Sequence, residues 1–182
     1  LPGTARAMIW PVPTCPDDAT YDRVKAFVEA GGTLLVTGDL SYDDQRRRTR
    51  AARLEEICAV RLDAAGGGDA PDLRAPVSVL PAGAKPLDGG MPVLFANAVG
   101  KGRCCYTSIP VEWGGSEGIA LYRRFLGAAG VKPEPVDAPD VVHAFRVDTV
   151  EPGSAWVFYH TEEKWKPAEA TVAGVSLALA PG

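Results

Sequence analysis

The stretch YDRVKAFVEAGGTLLVTGD, Tyr21 to Asp39, changes its period halfway along. In the first half Val24, Phe27 and Val28 recur at three- and four-residue spacing, which predicts a helix burying one stripe. Asp17 and Asp18 stand ahead of it as caps, and Gly31-Gly32 supplies the left-handed stop. The second half, Thr33 to Thr37 (TLLVT), is an uninterrupted apolar run, as expected of a strand covered on both faces. A similar run, residues 7–12 (AMIWPV), lies before the helix and is closed by Pro11 and Pro13. Strand, helix of about three turns and strand make a βαβ unit, so the expected class is α/β.

Working outward, the pattern predicts a helix from Asp43 to Cys58, with Ala51, Leu54, Ile57 and Cys58 on one stripe. Arg46, Arg47, Arg48, Arg50 and Arg53 fall mostly off that stripe. Asp43 and Asp44 precede Arg47 and Arg48 by four residues, which reads as a solvated face laced with ion pairs in preference to a phosphate site. Residues 63–90, rich in Gly, Ala, Asp and Pro, read as a long surface excursion with one strand candidate, Val77 to Leu80. Val93 to Asn97 and Arg103 to Ile109 predict a hairpin joined through the glycine turn Val99-Gly100-Lys101-Gly102. Ser116 can cap a helix carrying Ile119, Tyr122, Phe125, Leu126 and Ala129, stopped by Gly130, Pro133 and Pro135. After Lys132 the composition shifts. Val141 to Val147, Ala155 to His160 and Ala170 to Leu179 predict three strands, with turns around Pro152-Gly153 and Lys166-Pro167. The expected division is an α/β domain at 1–131, a linker at 132–140 and a small antiparallel β domain at 141–182.

With 182 residues, 46% hydrophobic and 23% charged, the chain has the make-up of a globular protein able to bury about 70% of its unfolded surface. A net charge of −4, from 19 basic and 23 acidic residues, argues against nucleic acid as a partner. No apolar run approaches the ~18 to 20 residues of a bilayer span, so no membrane partner is expected. Glycine (20) and proline (16) exceed their usual joint share of about 12%, which points to long ordered loops. The opening Leu1-Pro2-Gly3 lacks a methionine, and we expect a chain processed or cut from something longer.

Cys15, Cys58, Cys104 and Cys105, with His143 and His160, contain no C-x-x-C and no H-x-x-x-H, so neither a metal nor another cofactor is expected. Cys104 and Cys105 should point to opposite faces of one strand, with Cys58 in the core and Cys15 in a loop. The lack of a disulfide framework favours a reducing compartment, the cytoplasm.

In an open α/β sheet ligands gather at the carboxyl ends of the strands. That directs attention to Pro11 to Pro16, Gly38 to Asp44 and Pro110 to Gly115. Asp39 and Glu112 are candidate general acids or bases, and Tyr42, Trp113 and Trp165 candidate platforms for a sugar ring. The same residue types also cap helices and plug gaps. The glycines give no phosphate-binding fingerprint: Gly31-Gly32 precedes a strand, and Gly66-Gly67-Gly68 has no Lys-Ser/Thr after it. No G-x-S-x-G or G-x-C-x-G elbow occurs. YHTEEKW, Tyr159 to Trp165, reads first as a strand end and polar hairpin loop, with a metal or sugar contact through His160 and its glutamates as the alternative.

The run Tyr21 to Asp39 resembles the helix and strand of class I glutamine-amidotransferase-like domains, in particular the β-galactosidase trimerisation domain of family 42 glycoside hydrolases. ARAMIWPVP resembles the preceding strand of that fold, Gly100-Lys101-Gly102-Arg103 its late glycine turn, and LYRRFLGAAGV its last helix. AWVFYHTEEK and VSLALAPG are similar to the small carboxyl-terminal β domain that follows. The resemblance implies a flavodoxin-like three-layer α/β/α sandwich, truncated at its amino end, with an antiparallel β tail. It implies a homo-oligomer, a trimer being one such assembly, partnered by a catalytic barrel outside this chain. Departures matter as much. The amidotransferase nucleophile position holds Gly38-Asp39-Leu40, and no histidine occurs near Ile109-Pro110-Val111-Glu112. Glutamine hydrolysis therefore lacks its chemical agents. The expectation is a non-catalytic accessory module with no catalytic residue, Asp39, Tyr42, Glu112 and Trp113 being the candidate ligand contacts. A carbohydrate-binding module, or a hydrolase using Asp39 as nucleophile, are the alternatives.

Overall fold

The computed structural model describes residues 5–63, 71–113, 115–131, 136–137, 142–148, 154–160, 168–172 and 175–179. Two compact units divide at Val131 and Lys132. In the first, strand β1 (Ala7–Trp10) leads to helix α1 (Asp18–Glu29) and strand β2 (Thr33–Thr37), and β1 and β2 pair in parallel. Asp17 caps α1, its carboxylate accepting the Thr20 N–H at 2.6 Å. This is the expected βαβ unit. Short helix α2 (Ala52–Cys58) and strands β3 (Val60–Leu62), β4 (Val79–Pro81) and β5 (Lys85–Pro86) follow. After them come β6 (Phe95–Val99), β7 (Gly102–Thr107), a 3-10 turn at Val111–Trp113 and helix α3 (Gly115–Ala128).

The main sheet has the order β1-β2-β7-β6-β5. β2 and β7 are parallel, whereas β6 and β5 run antiparallel, so the unit is α/β with a mixed sheet. Alternation along β2 and β7 divides the core. Leu34, Val36, Cys104 and Tyr106 meet Tyr21, Val24 and Val28 of α1 and Leu54, Ile57 and Cys58 of α2. On the other face Leu35 and Cys105 meet Leu94, Val111, and Leu121 and Phe125 of α3. Cys104 and Cys105 thus do face opposite ways. Leu34, Leu35 and Val36 are fully buried, each contributing roughly 1.5–3 kcal/mol by leaving water.

Several expectations fail for identifiable reasons. The helix expected over 43–58 forms only from Ala52. Upstream, the Asp43 carboxylate accepts the backbone N–H groups of Gln45 and Arg47, each at 2.9 Å, and the Thr49 hydroxyl at 2.8 Å. A side chain that bonds its own neighbours' amides offers the backbone an alternative to the helical ladder. Four of the five arginines are ion-paired, Arg47, Arg48 and Arg50 from a loop and Arg53, which is buried, from α2. β3 went unforeseen, and its partner β4 starts two residues later than the strand expected from Val77. Ile119, expected on the buried stripe of α3, is 53% exposed, and Leu121 takes the core position.

In the second unit β9 (Val142–Asp148) and β10 (Ser154–His160) form an antiparallel pair with His143 opposite Tyr159. The single strand expected over 170–179 is two, β11 (Ala168–Val172) and β12 (Val175–Leu179), paired with each other. Val136–Asp137, inside the expected linker, is strand β8 and pairs with β11. Gly66-Gly67-Gly68, the turns at Pro152-Gly153 and Lys166-Pro167, and Glu162, Glu163 and Trp165 lie outside the described residues. Among the described residues no helix is long and apolar enough to cross a membrane.

Candidate functional site

The loops leaving β1, β2 and β7 come together at the carboxyl ends of the parallel strands, and Thr37 and Gly38 join them. The Thr37 hydroxyl accepts the Val12 N–H at 3.0 Å and donates to Glu112 Oε1 at 2.7 Å. Gly38 stands at φ 75°, where a side chain would be strained. A Cβ there would lie 3.5 Å from Val12 Cγ1 and 3.9 Å from Pro110 Cβ. The Gly38 carbonyl accepts the Tyr106 hydroxyl at 3.0 Å, and its N–H donates to Thr107 O at 2.9 Å.

Glu112 takes a second bond from α3, where the Tyr122 hydroxyl donates to Oε1 at 2.8 Å. Burial first, and then that bond to a carboxylate, push the Tyr122 phenol up. Oε2 of Glu112 is buried and has no partner among the described residues. The carboxylate is therefore anchored through one oxygen, and the other can accept a further hydrogen bond.

Asp39 belongs to a separate network. Its Oδ1 accepts the Ser41 N–H at 2.9 Å and its Oδ2 the Arg48 guanidinium at 3.2 Å. The same guanidinium nitrogen donates to the Tyr42 hydroxyl at 2.7 Å, and Arg48 Cζ lies 4.8 Å from the centre of the Tyr42 ring. Tyr42 is 1% exposed, so the ring proposed as a sugar platform is enclosed by its own loop and covered by an arginine. Asp39 is likewise held as a clasp on this loop. Trp113 closes the 3-10 turn after β7, and its side chain lies outside the described residues.

The side chains bonded to these two carboxylates are the Thr37 and Tyr122 hydroxyls at Glu112 and the Arg48 guanidinium at Asp39, with no cysteine or histidine among them. The thiolate is the reactive form of cysteine. Burial pushes the Cys105 thiol up to about 12, and the Cys104 thiol rises through its contact with Cys58, 3.8 Å away, and through burial. Cys15, partly exposed, is raised mainly by desolvation. Among the described residues no group of three or more His, Cys, Asp or Glu could hold a metal. The positional reading of the strand ends brought out Glu112, but missed Thr37 and Tyr122. The available signals were a hydroxyl residue closing an otherwise apolar strand, and a tyrosine ten residues past the glutamate on the following helix.

No protein-family model and no curated protein sequence matches the chain. Solved structures do. Gan42B, a GH42 β-galactosidase from G. stearothermophilus, aligns with TM-score 0.65 and 14% identity over 95% of this chain and 29% of its own. The cold-adapted β-galactosidase from Rahnella sp. R3 gives 0.61 and 14% over 95% of this chain and 32% of its own. The β-galactosidase from Bacillus circulans sp. alkalophilus gives 0.56 and 17% over 91% and 26%. This chain spans less than a third of the length of each, and what it shares with that part of these β-galactosidases is their fold.

Proposed function

We propose that this chain is a non-catalytic accessory module of a glycoside hydrolase resembling the GH42 β-galactosidases, with the bond-breaking carboxylates on a barrel domain outside it. In this reading the first unit is the flavodoxin-like, glutamine-amidotransferase-like trimerisation domain, the second is the small β domain after it, and the module assembles as a homo-oligomer. The observation that carries the proposal is the alignment of 95% of this chain with 29% of Gan42B. The chemistry of the strand ends agrees: Asp39 is tied to Arg48, and Glu112 to Thr37 and Tyr122. A retaining glycosidase needs two carboxyl groups about 5 Å apart flanking one bond, one of them free to attack.

The test is hydrolysis of a chromogenic β-galactoside by the purified chain, with light scattering on the same sample. We expect no turnover above the buffer rate, and a mass of more than one chain. Turnover that disappears in Asp39→Asn or Glu112→Gln would overturn the accessory role.

A further inference from the structure

An open cleft of about 350 Å³ lies beside the loop that leaves β1, on a scale that suits a small ligand. Among the described residues it is lined by Val12, Thr14, Cys15, Arg46, Pro71 and Leu73. Of the five arginines between positions 46 and 53, four are tied down. Arg47 pairs with Asp43, Arg48 with Asp39, and Arg50 and Arg53 with Asp18. Arg46, on the cleft wall, has no hydrogen-bond partner for its guanidinium among the described residues, and it is exposed. Its backbone stands at φ 60°, a left-handed conformation that strains a residue with a side chain. The loop holds it there through the Arg46 N–H, which donates to Asp43 O at 3.0 Å, and through the Asp43 carboxylate beneath. Val12, across the cleft, is also at positive φ, 43°. Two backbone positions that favour glycine therefore carry side chains, and both residues line the same cleft.

We infer that this cleft is a binding site for a small organic carboxylate, such as a sugar acid. Arg46 takes the carboxylate in the forked geometry that guanidinium and carboxylate share. The Thr14 hydroxyl is a neighbouring polar contact, and Val12, Pro71 and Leu73 cover the apolar face of the ligand. Neutral ligands of the same shape lack the group that Arg46 recognises. Asp39 and Asp43, the nearby acids that act on Cys15, are neutralised by Arg48 and Arg47 and leave the positive charge to Arg46. This site does not depend on the accessory role proposed above. Its failure would leave that role standing.

Cys15 is the built-in reporter, because Cys58, Cys104 and Cys105 are buried. Alkylation of the native chain with iodoacetate is compared with iodoacetamide. In both reactions the Cys15 sulfur bonds the methylene carbon, iodide leaves and the thiol proton passes to water, so the two differ only in the negative charge that Arg46 would attract. We expect the iodoacetate to iodoacetamide rate ratio to be about two- to fivefold higher in the native chain than in Arg46→Gly, the range of an exposed ion pair. Glycine suits the positive φ, so that variant keeps the loop. Millimolar D-glucuronate should slow labelling saturably in the native chain and not in the variant, and D-glucose should not slow it. An unchanged ratio, no protection by glucuronate, or equal protection by glucose each overturns the proposal.

Discussion

Removing the Glu112 side chain tests whether the strand ends are held together as described. Glu112→Ala deletes two hydrogen bonds to a carboxylate, at 2.7 Å from Thr37 and 2.8 Å from Tyr122. Bonds to charged groups contribute roughly 1.5–3 kcal/mol each, and the half-buried position of Glu112 puts these at the lower end, about 3 kcal/mol together. The substitution also deletes the partnerless Oε2, recovering about 1 kcal/mol of the cost of burying it. The net loss is about 2 kcal/mol, or roughly 6–10 °C for a unit of this size. Glu112→Gln keeps an acceptor for both hydroxyls and should lose less than about 1 kcal/mol. Urea unfolding followed by circular dichroism measures each variant. Thr37→Val should lose stability too, since it orphans the Val12 N–H, and the double variant with Glu112→Ala should be less destabilised than the sum by about 1 kcal/mol. Simple additivity, or a Glu112→Ala chain within about 0.5 kcal/mol of the parent, would refute the shared network.

Gly102 and Gly127 should respond oppositely to alanine: a Cβ at Gly102 would sit 2.1 Å from Val28 O and 2.2 Å from Gly32 O, whereas one at Gly127 meets nothing within 4 Å. Gly102→Ala should cost upwards of about 3 kcal/mol, and Gly127→Ala, inside α3, should gain about 0.5–1 kcal/mol, both read from urea midpoints. Asp43 is held at about 2 by the Arg47 N–H first, against an ordinary 3.8. Its depressed native value means that its contribution is complete above about pH 4 and fades as the pH falls through about 2. Thermal midpoints should therefore drop over that window, and Asp43→Asn should flatten the drop. A disulfide reagent should titrate one thiol of four quickly in the native chain, that of Cys15, and all four in denaturant; fast reaction of a second native thiol would contradict the burial of Cys58, Cys104 and Cys105.

The legible parts of the fold were those where hydrophobic period and turn chemistry agree. α1, β2 and the β6–β7 hairpin have both, and they form close to where they were expected. Residues 43–51 show what the period leaves out. Their helical spacing is real, yet Asp43 can bond four nearby donors at once, and that local polar solution outcompetes a helix with few apolar contacts to reward it. β3 and β4 are three residues each, too short for periodicity to register. At the strand ends the same asymmetry holds. That Glu112 follows a strand could be read from position alone, but its two hydroxyl partners are 75 and 10 residues away in the chain, and only the packing of β2, β7 and α3 brings them together.

The same packing decides where a ligand could be accommodated. An open α/β sheet ordinarily leaves a crevice where its parallel strands end, but Thr37 bonds both the β1 exit and the β7 exit, and Asp39, Ser41 and Tyr42 after β2 are buried. Asp39 is pinned by Arg48 and Glu112 is held through Oε1, so that Thr37, Tyr122 and Arg48 fix both carboxylates in position. One open cleft lies on the flank of β1, where Arg46 has no such tie among the described residues. With Asp39 and Asp43 already paired to Arg48 and Arg47, the exposed Arg46 guanidinium gives this cleft a charge that suits an anion.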